Sequence, residues 1–189
     1  KDMLQRFRFI LLLATLAAHS VMAQGTAEVW LSKAVGQFQN KGVEVVFRIN
    51  EDGFHIGGKL LMDGNSYHFD TDEMKVWYDG TTQWTMQFAE DYAELYISNP
   101  TLEDQQSINP YLVLKNYKNH FIAADGTEKT INGKPVHEVI LTAKDKRQEL
   151  SGLHVYIKSD GSIDSMHLIF PDDRTYKVDV RSMRSGLTF

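Results

Sequence analysis

The 189-residue chain contains no cysteine. That absence excludes disulfides, thiol catalysis and a lipid carried on a cysteine, so stability rests on sheet and core alone. The chain also lacks a basic run. It has 20 lysines and arginines against 25 aspartates and glutamates, a formal charge of −5, and clusters such as Lys144-Asp145-Lys146-Arg147 are interrupted by acid. An acidic chain without a basic stripe is a poor phosphate binder, which excludes nucleic acid as a partner. Neither a Gly-x-Ser-x-Gly elbow nor a phosphate loop is present. Its seven histidines show no metal-ligand spacing, so neither metal nor cofactor is expected, although His154 and His167 fall on adjacent predicted strands. Acids do occur together, at Asp70 with Asp72 and Glu73, Glu90-Asp91, Glu103-Asp104 and Asp172-Asp173. All sit in predicted turns, where carboxylates form Asx turns. A secreted hydrolase would need two carboxylates converging on a cleft, and the weight falls on a non-enzymatic protein.

Long apolar runs are scarce. Phe9 to Ala18 is almost wholly apolar, but a membrane-spanning helix needs about 20 such residues. With Arg6 and Arg8 before it and Val21-Met22-Ala23 after it, residues 1–23 read as a secretory signal removed before Gln24. Gln24 stands where a lipoprotein would carry its lipidated cysteine, so the mature chain is expected to be soluble. Removal takes away three basic residues and one acidic, leaving a charge of −7. Residues 24–189 fit one domain with a real core.

What is abundant is turn chemistry. Asp52-Gly53, Asp63-Gly64, Asp79-Gly80, Asp125-Gly126, Asn132-Gly133 and Asp160-Gly161 punctuate short alternating runs. Such pairs accept the positive φ angles of hairpin turns, so the chain reads as a ladder of ten or eleven antiparallel strands. One helix precedes it: Ala27, Trp30, Leu31, Ala34, Val35 and Phe38 form a single apolar stripe, with Thr26 as N-cap and Asn40-Lys41-Gly42 as stop. A short helical insert follows Asn109, with Pro110 in its first turn. Many strands carry bulky apolar residues at period two: Leu60 with Met62, Tyr67 with Phe69, Trp84 with Met86, Leu95 with Ile97. Val139 with Leu141, Val155 with Ile157, and Met166 with Leu168 continue the series. Periodicity leaves two readings open. Either these residues form an ordinary sheet core under a helix, or the sheet curls around an apolar cavity roofed by Trp30, Phe38 and Leu112.

Ordered motifs narrow the choice. Ile56-Gly57-Gly58-Lys59-Leu60-Leu61-Met62, then Tyr67-His68-Phe69, then Tyr78-Asp79-Gly80-Thr81-Thr82-Gln83-Trp84 resemble the periplasmic lipoprotein carrier family, LolA, in which a G-x-L strand and an aromatic strand precede an S-D-G-K-T-L-W hairpin. Asn109-Pro110-Tyr111-Leu112-Val113-Leu114, Ser159-Asp160-Gly161-Ser162-Ile163 and Asp172-Asp173-Arg174 continue the likeness in order. The resemblance implies a single strongly curved antiparallel sheet forming an incomplete half-barrel, with a few helices as a lid. Such a protein carries lipoprotein acyl chains across the periplasm of a Gram-negative cell as a monomer. It takes cargo from an inner-membrane ABC transporter and yields it to an outer-membrane acceptor. A sensor or scaffold of the same shape is the alternative. The family's K-R-P, whose arginine helps govern lid closure, is here Asp63-Gly64-Asn65. Because family members continue past the equivalent of Phe189, a C-terminal truncation that leaves an open edge beside the last strand is expected.

Overall fold

The computed structural model describes residues 26–39, 42–51, 53–101 and 109–188. The signal expected over residues 1–23 and the Glu103-Asp104 pair lie outside them. Helix α1 runs over residues 26–36, already helical at Thr26, and is followed by a turn over 37–39. Six strands come next: β1 (Val43–Glu51), β2 (Phe54–Asp63), β3 (Ser66–Thr71), β4 (Met74–Tyr78), β5 (Gln83–Phe88) and β6 (Ala93–Ser98). Two short helices, α2 (Pro110–Lys115) and α3 (Tyr117–His120), lead into β7 (Phe121–Ile131), β8 (Lys134–Ala143), β9 (Gly152–Lys158), β10 (Ile163–Ile169) and β11 (Thr175–Arg184).

All eleven strands belong to one antiparallel sheet in the order β6-β5-β4-β3-β2-β1-β11-β10-β9-β8-β7. It is two meanders, β1–β6 and β7–β11, joined where the first strand pairs with the last. The edges β6 and β7 do not pair with each other, so the sheet is an incomplete barrel. β11 is flanked by β1 and β10, and no open edge is left beside it, contrary to the sequence expectation.

Turn chemistry places the hairpins. Asn132 and Gly133 both have positive φ, 51° and 76°, the pattern of a type I′ turn between Ile131 and Lys134. Gly53, Gly64, Gly80 and Gly161 also take positive φ. Asp125-Gly126 does not make a turn. It lies inside β7, where the register with β8 shifts between Asp125 and Glu128, because the extra residues are absorbed as a bulge. A Cβ on Gly126 would lie 2.5 Å from Glu138 Cγ, so glycine is what lets the bulge close over that side chain.

Asn109 caps α2 as its sequence suggests, its Oδ1 accepting from Tyr111 N–H at 3.1 Å, with Pro110 in the first turn. Helix α1 buries Ala27, Leu31 and Ala34 and sits against the β7–β11 half. Trp30 stacks on His137 of β8, Gln37 Nε2 donates to Asp160 O in the β9–β10 turn at 3.0 Å, and Glu28 pairs with Lys118 of α3.

The inner face follows from the ladder: Val45 opposes Leu60, Leu60 opposes Phe69, and Phe69 opposes Val76. Gly58 belongs to this face, opposite Phe47. A Cβ there would stand 2.5 Å from Phe47 Cζ and 2.9 Å from Asp70 O. The ring of Phe47 occupies the space a side chain would need, and the backbone oxygen cannot yield. Gly58→Ala is therefore expected to destabilise the fold by roughly 1–3 kcal/mol, read as a lower urea midpoint at unchanged slope.

Candidate functional site

The helices roof only part of the inner face. Beside them a hollow of about 400 Å³ remains over the middle of the sheet. Its floor is Val45, Phe47 and Ile49 of β1 with Val178, Val180 and Met183 of β11, and Leu60, Phe69 and Met74 form one wall. Met166 and Leu168 of β10 form the other wall, and Phe38, Tyr111 and Leu114 close the roof. Phe38 and Tyr111 stack at 4.4 Å between ring centroids, joining the end of α1 to α2. The mouth is polar on one side. There Arg174 lies 5.2 Å over the Phe170 ring, ion-pairs with Asp172 at 2.6 Å and donates to Tyr176 Oη at 3.3 Å. A volume of this size, lined mostly by hydrocarbon with Glu149 and Arg174 as its charged members, suits an apolar ligand.

Of the residues singled out in the sequence, Phe38, Leu60, Phe69, Met166 and Leu168 line the hollow. Met62 and Tyr67 are buried beside it: Met62 Sδ accepts from Asn109 Nδ2 at 3.7 Å, and Tyr67 Oη donates to Gln83 Oε1 at 2.9 Å. Burial, with Tyr78 nearby, pushes the Tyr67 hydroxyl up to about 12. Val139, Leu141, Val155 and Ile157 are fully buried in packed core instead of facing open space. Trp30 is drawn aside onto His137, ring centroids 4.7 Å apart at 10°. Leu112 packs against the core, while its neighbours Tyr111 and Leu114 face the hollow.

Trp84, Met86, Leu95 and Ile97 are misplaced by the sequence reading. Val76, on the inner face, opposes Thr85, and Thr85 opposes Tyr96. Gln83, Thr85 and Gln87 therefore point inward, and the four apolar residues stand on the outside of β5 and β6. Side chains alternate strictly with the pleat, so a strand whose inner set is polar shows its greasy set to solvent. The floor from β1 and β11 was missed. Its signal was present in Tyr176, Val178 and Val180 alternating with Lys177, Asp179 and Arg181. In β1 the adjacent Val45 and Val46 blur the parity.

Two polar clusters also escaped the sequence reading. On the inner face, His137 Nε2 lies 2.8 Å from Asp125 Oδ1 and its Nδ1 lies 2.5 Å from Glu128 Oε1. The two carboxylates hold the ring from both sides, clamped beneath Trp30. On the outer face Glu138 is 4% exposed. Its Oε1 accepts from Lys129 Nζ at 2.9 Å and Tyr156 Oη at 3.0 Å and lies 2.9 Å from His154 Nδ1, while Oε2 accepts from Thr127 N–H at 3.2 Å. Burial alone would raise this carboxyl, but Lys129, His154, Thr127 and Tyr156 together outweigh it and hold it down at about 2. His154 and His167 are indeed cross-strand partners. Among the described residues no three His, Asp or Glu side chains are placed to hold a metal ion. Nor, among them, is any helix long and apolar enough to cross a membrane.

Residues 13–186 match the family described as "Outer membrane lipoprotein carrier protein LolA". No curated protein sequence matches the chain significantly. Among solved structures, an uncharacterised conserved protein from Thermus thermophilus is similar with a TM-score of 0.60 at 7% identity, over 87% of this chain and 90% of that one. A LolA superfamily protein from Nitrosomonas europaea is similar with a TM-score of 0.44 at 12% identity, over 86% and 94%. The complex of Pseudomonas aeruginosa MucA and MucB gives 0.48 at 11%, over 87% of this chain and 58% of that one. At 7% identity the likeness to the Thermus thermophilus protein speaks to fold alone.

Two expectations follow. Glu138 has a folded-state pKa of about 2, below its ordinary value of 4.5, so its contribution is full above the unfolded pKa and is lost as pH falls from there through about 2. At neutral pH Glu138→Gln should cost ~3 kcal/mol, and the gap from the parent should close on acidification across that window, followed by urea melts. In contrast, Met86→Glu and Leu95→Glu, both on the outer face, should leave occupancy of the hollow by an apolar fluorescent probe unchanged.

Proposed function

Because the chain belongs to the LolA family of outer membrane lipoprotein carrier proteins, we propose that the hollow receives an acyl chain of a lipoprotein and carries it, without catalysis, through the periplasm. The observation that carries this reading is the hollow itself. The family's namesake task needs an apolar space that water would otherwise fill, and here that space is lined by side chains from β1, β2, β3, β10 and β11. At ~30 Å³ for each water-sized group, 400 Å³ holds roughly thirteen methylenes, about one hydrocarbon tail.

The energetics fit a carrier. Burial of thirteen methylenes at ~0.8 kcal/mol each gives ~10 kcal/mol, a dissociation constant in the tens of nanomolar. Three tails fully enclosed would exceed the practical ceiling of ~20 kcal/mol and could not be released. One enclosed tail, with the others against the mouth beside Phe170 and Tyr176, is held yet can be surrendered. The inner-membrane transporter that loads the hollow and the outer-membrane acceptor that empties it belong to the same proposal, as does secretion on the N-terminal signal.

Val180 and Met166 face the hollow from neighbouring strands. Val180→Trp and Met166→Trp should fill it, weakening binding of an apolar fluorescent probe, and its displacement by a triacylated lipopeptide, by about tenfold or more at a ~1.4 kcal/mol loss. Circular dichroism should retain the parent fold. A parent that binds neither probe nor lipopeptide would overturn the reading and favour a sensor or scaffold instead.

A further inference from the structure

We propose that β6 is an interface strand that pairs antiparallel with β6 of a second copy of this chain. The inference concerns the outside of the sheet and stands apart from the carrier reading. All six residues of β6 are exposed, including Leu95 at 54% and Ile97 at 64%. The Ala89 N–H donates to Tyr92 O at 2.8 Å across the β5–β6 hairpin, which fixes the phase of the ladder. Tyr92, Glu94, Tyr96 and Ser98 therefore bond to β5, and Ala93, Leu95 and Ile97 aim their N–H and C=O groups outward. An open row of this kind is normally blunted by lysine, proline or a bulge. β6, Ala-Glu-Leu-Tyr-Ile-Ser, has no lysine or proline, and its register with β5 has no shift. The opposite edge, β7, is guarded by its bulge and by Lys129.

The side chains select a second copy of the chain. Only registers that oppose odd-numbered residues satisfy the outward backbone groups. With Leu95 opposite its own symmetry mate, Ala93 faces Ile97 of the other copy on the outer side, and Glu94 faces Tyr96 of the other copy on the inner side. Tyr96 Oη already donates to Glu94 Oε2 within one chain, so the same donor and acceptor meet across the twofold axis. One step of slip in one direction would set Glu94 against Glu94, a like-charge pair. The contact is isologous and closes on itself. It also covers the end of an outer row that runs Leu61, His68, Trp77, Trp84, Ile97 across four ladders, with His68 and Trp77 stacked at 5.1 Å. The proposal replaces the monomer expected from the sequence.

The absence of cysteine makes the test clean. In the proposed register the two Leu95 Cα atoms lie about 5.5 Å apart, inside the roughly 4.4–6.8 Å that a disulfide spans. Under mild oxidation Leu95→Cys should cross-link to a covalent dimer at least about tenfold faster than Thr130→Cys on the guarded edge, while Glu94→Cys should not cross-link faster than that control. Sedimentation should give the parent twice the chain mass and Leu95→Lys the mass of one chain, with the circular dichroism of Leu95→Lys unchanged. A parent that sediments as one chain at every concentration, or Leu95→Cys linking no faster than the control, would overturn the proposal. So would a monomer that instead takes an extended peptide of another protein along β6.

Discussion

The pairing of β1 with β11 is the constraint on which the rest depends. It is the seam between two meanders, and the floor of the hollow is built from the inward residues of these two strands. Its register carries one irregularity, between Val46 and Phe47, which turns Val180 and Met183 to the same side despite their odd spacing. The seam is pinned at one end by an ion pair and at the other by a hydrogen bond: Arg184 is paired with Glu44, whose carboxyl is held below its usual value chiefly by that guanidinium, and Asn50 Nδ2 donates to Asp179 Oδ2 at 3.0 Å. Without this pairing there would be two small sheets, each with a bare apolar face and an additional unpaired edge.

The same seam explains the uneven covering of the inner face. Helix α1 is tied to β8 by Trp30 and to the β9–β10 turn by Gln37, so it roofs the second meander and leaves the middle of the sheet open. Val139, Leu141, Val155 and Ile157 thus become packed core, while residues one or two strands nearer the seam line space. Polar burial is divided too. His137 is clamped on the inside, and on its very neighbour Glu138 a four-partner network is held on the outside.

Much of this was legible in the sequence because hairpins are local. The glycines at 53, 64, 80, 133 and 161 all take the positive φ that their Asp-Gly or Asn-Gly pairs suggest, and the cap at Asn109 was readable from Asn-Pro alone. Asp125-Gly126 misled because the same two residues that make a turn also suit a bulge, and only the facing strand decides between them. The parity of β5 and β6 was lost for a different reason. Trp84, Met86, Leu95 and Ile97 are apolar, and a rule that sends apolar residues inward fails here, where Trp84 and Met86 stay half-buried on the outside of β5 and β6 is exposed on both faces. Glu138 and His137 gave no signal, since their partners lie 9 to 18 residues away on other strands.

The seam also sets a timetable. β1 ends at Glu51, yet its second neighbour, β11, begins only at Thr175. A ribosome adding about 5–20 residues per second needs several seconds to more than twenty to bridge that interval. Throughout it the first meander can form its hairpins, but its inner strand has no partner on one side. The tertiary fold cannot be sealed until β11 has been made. Late closure is thus a delay built into the chain, encoded by the order of the strands and not by any one side chain.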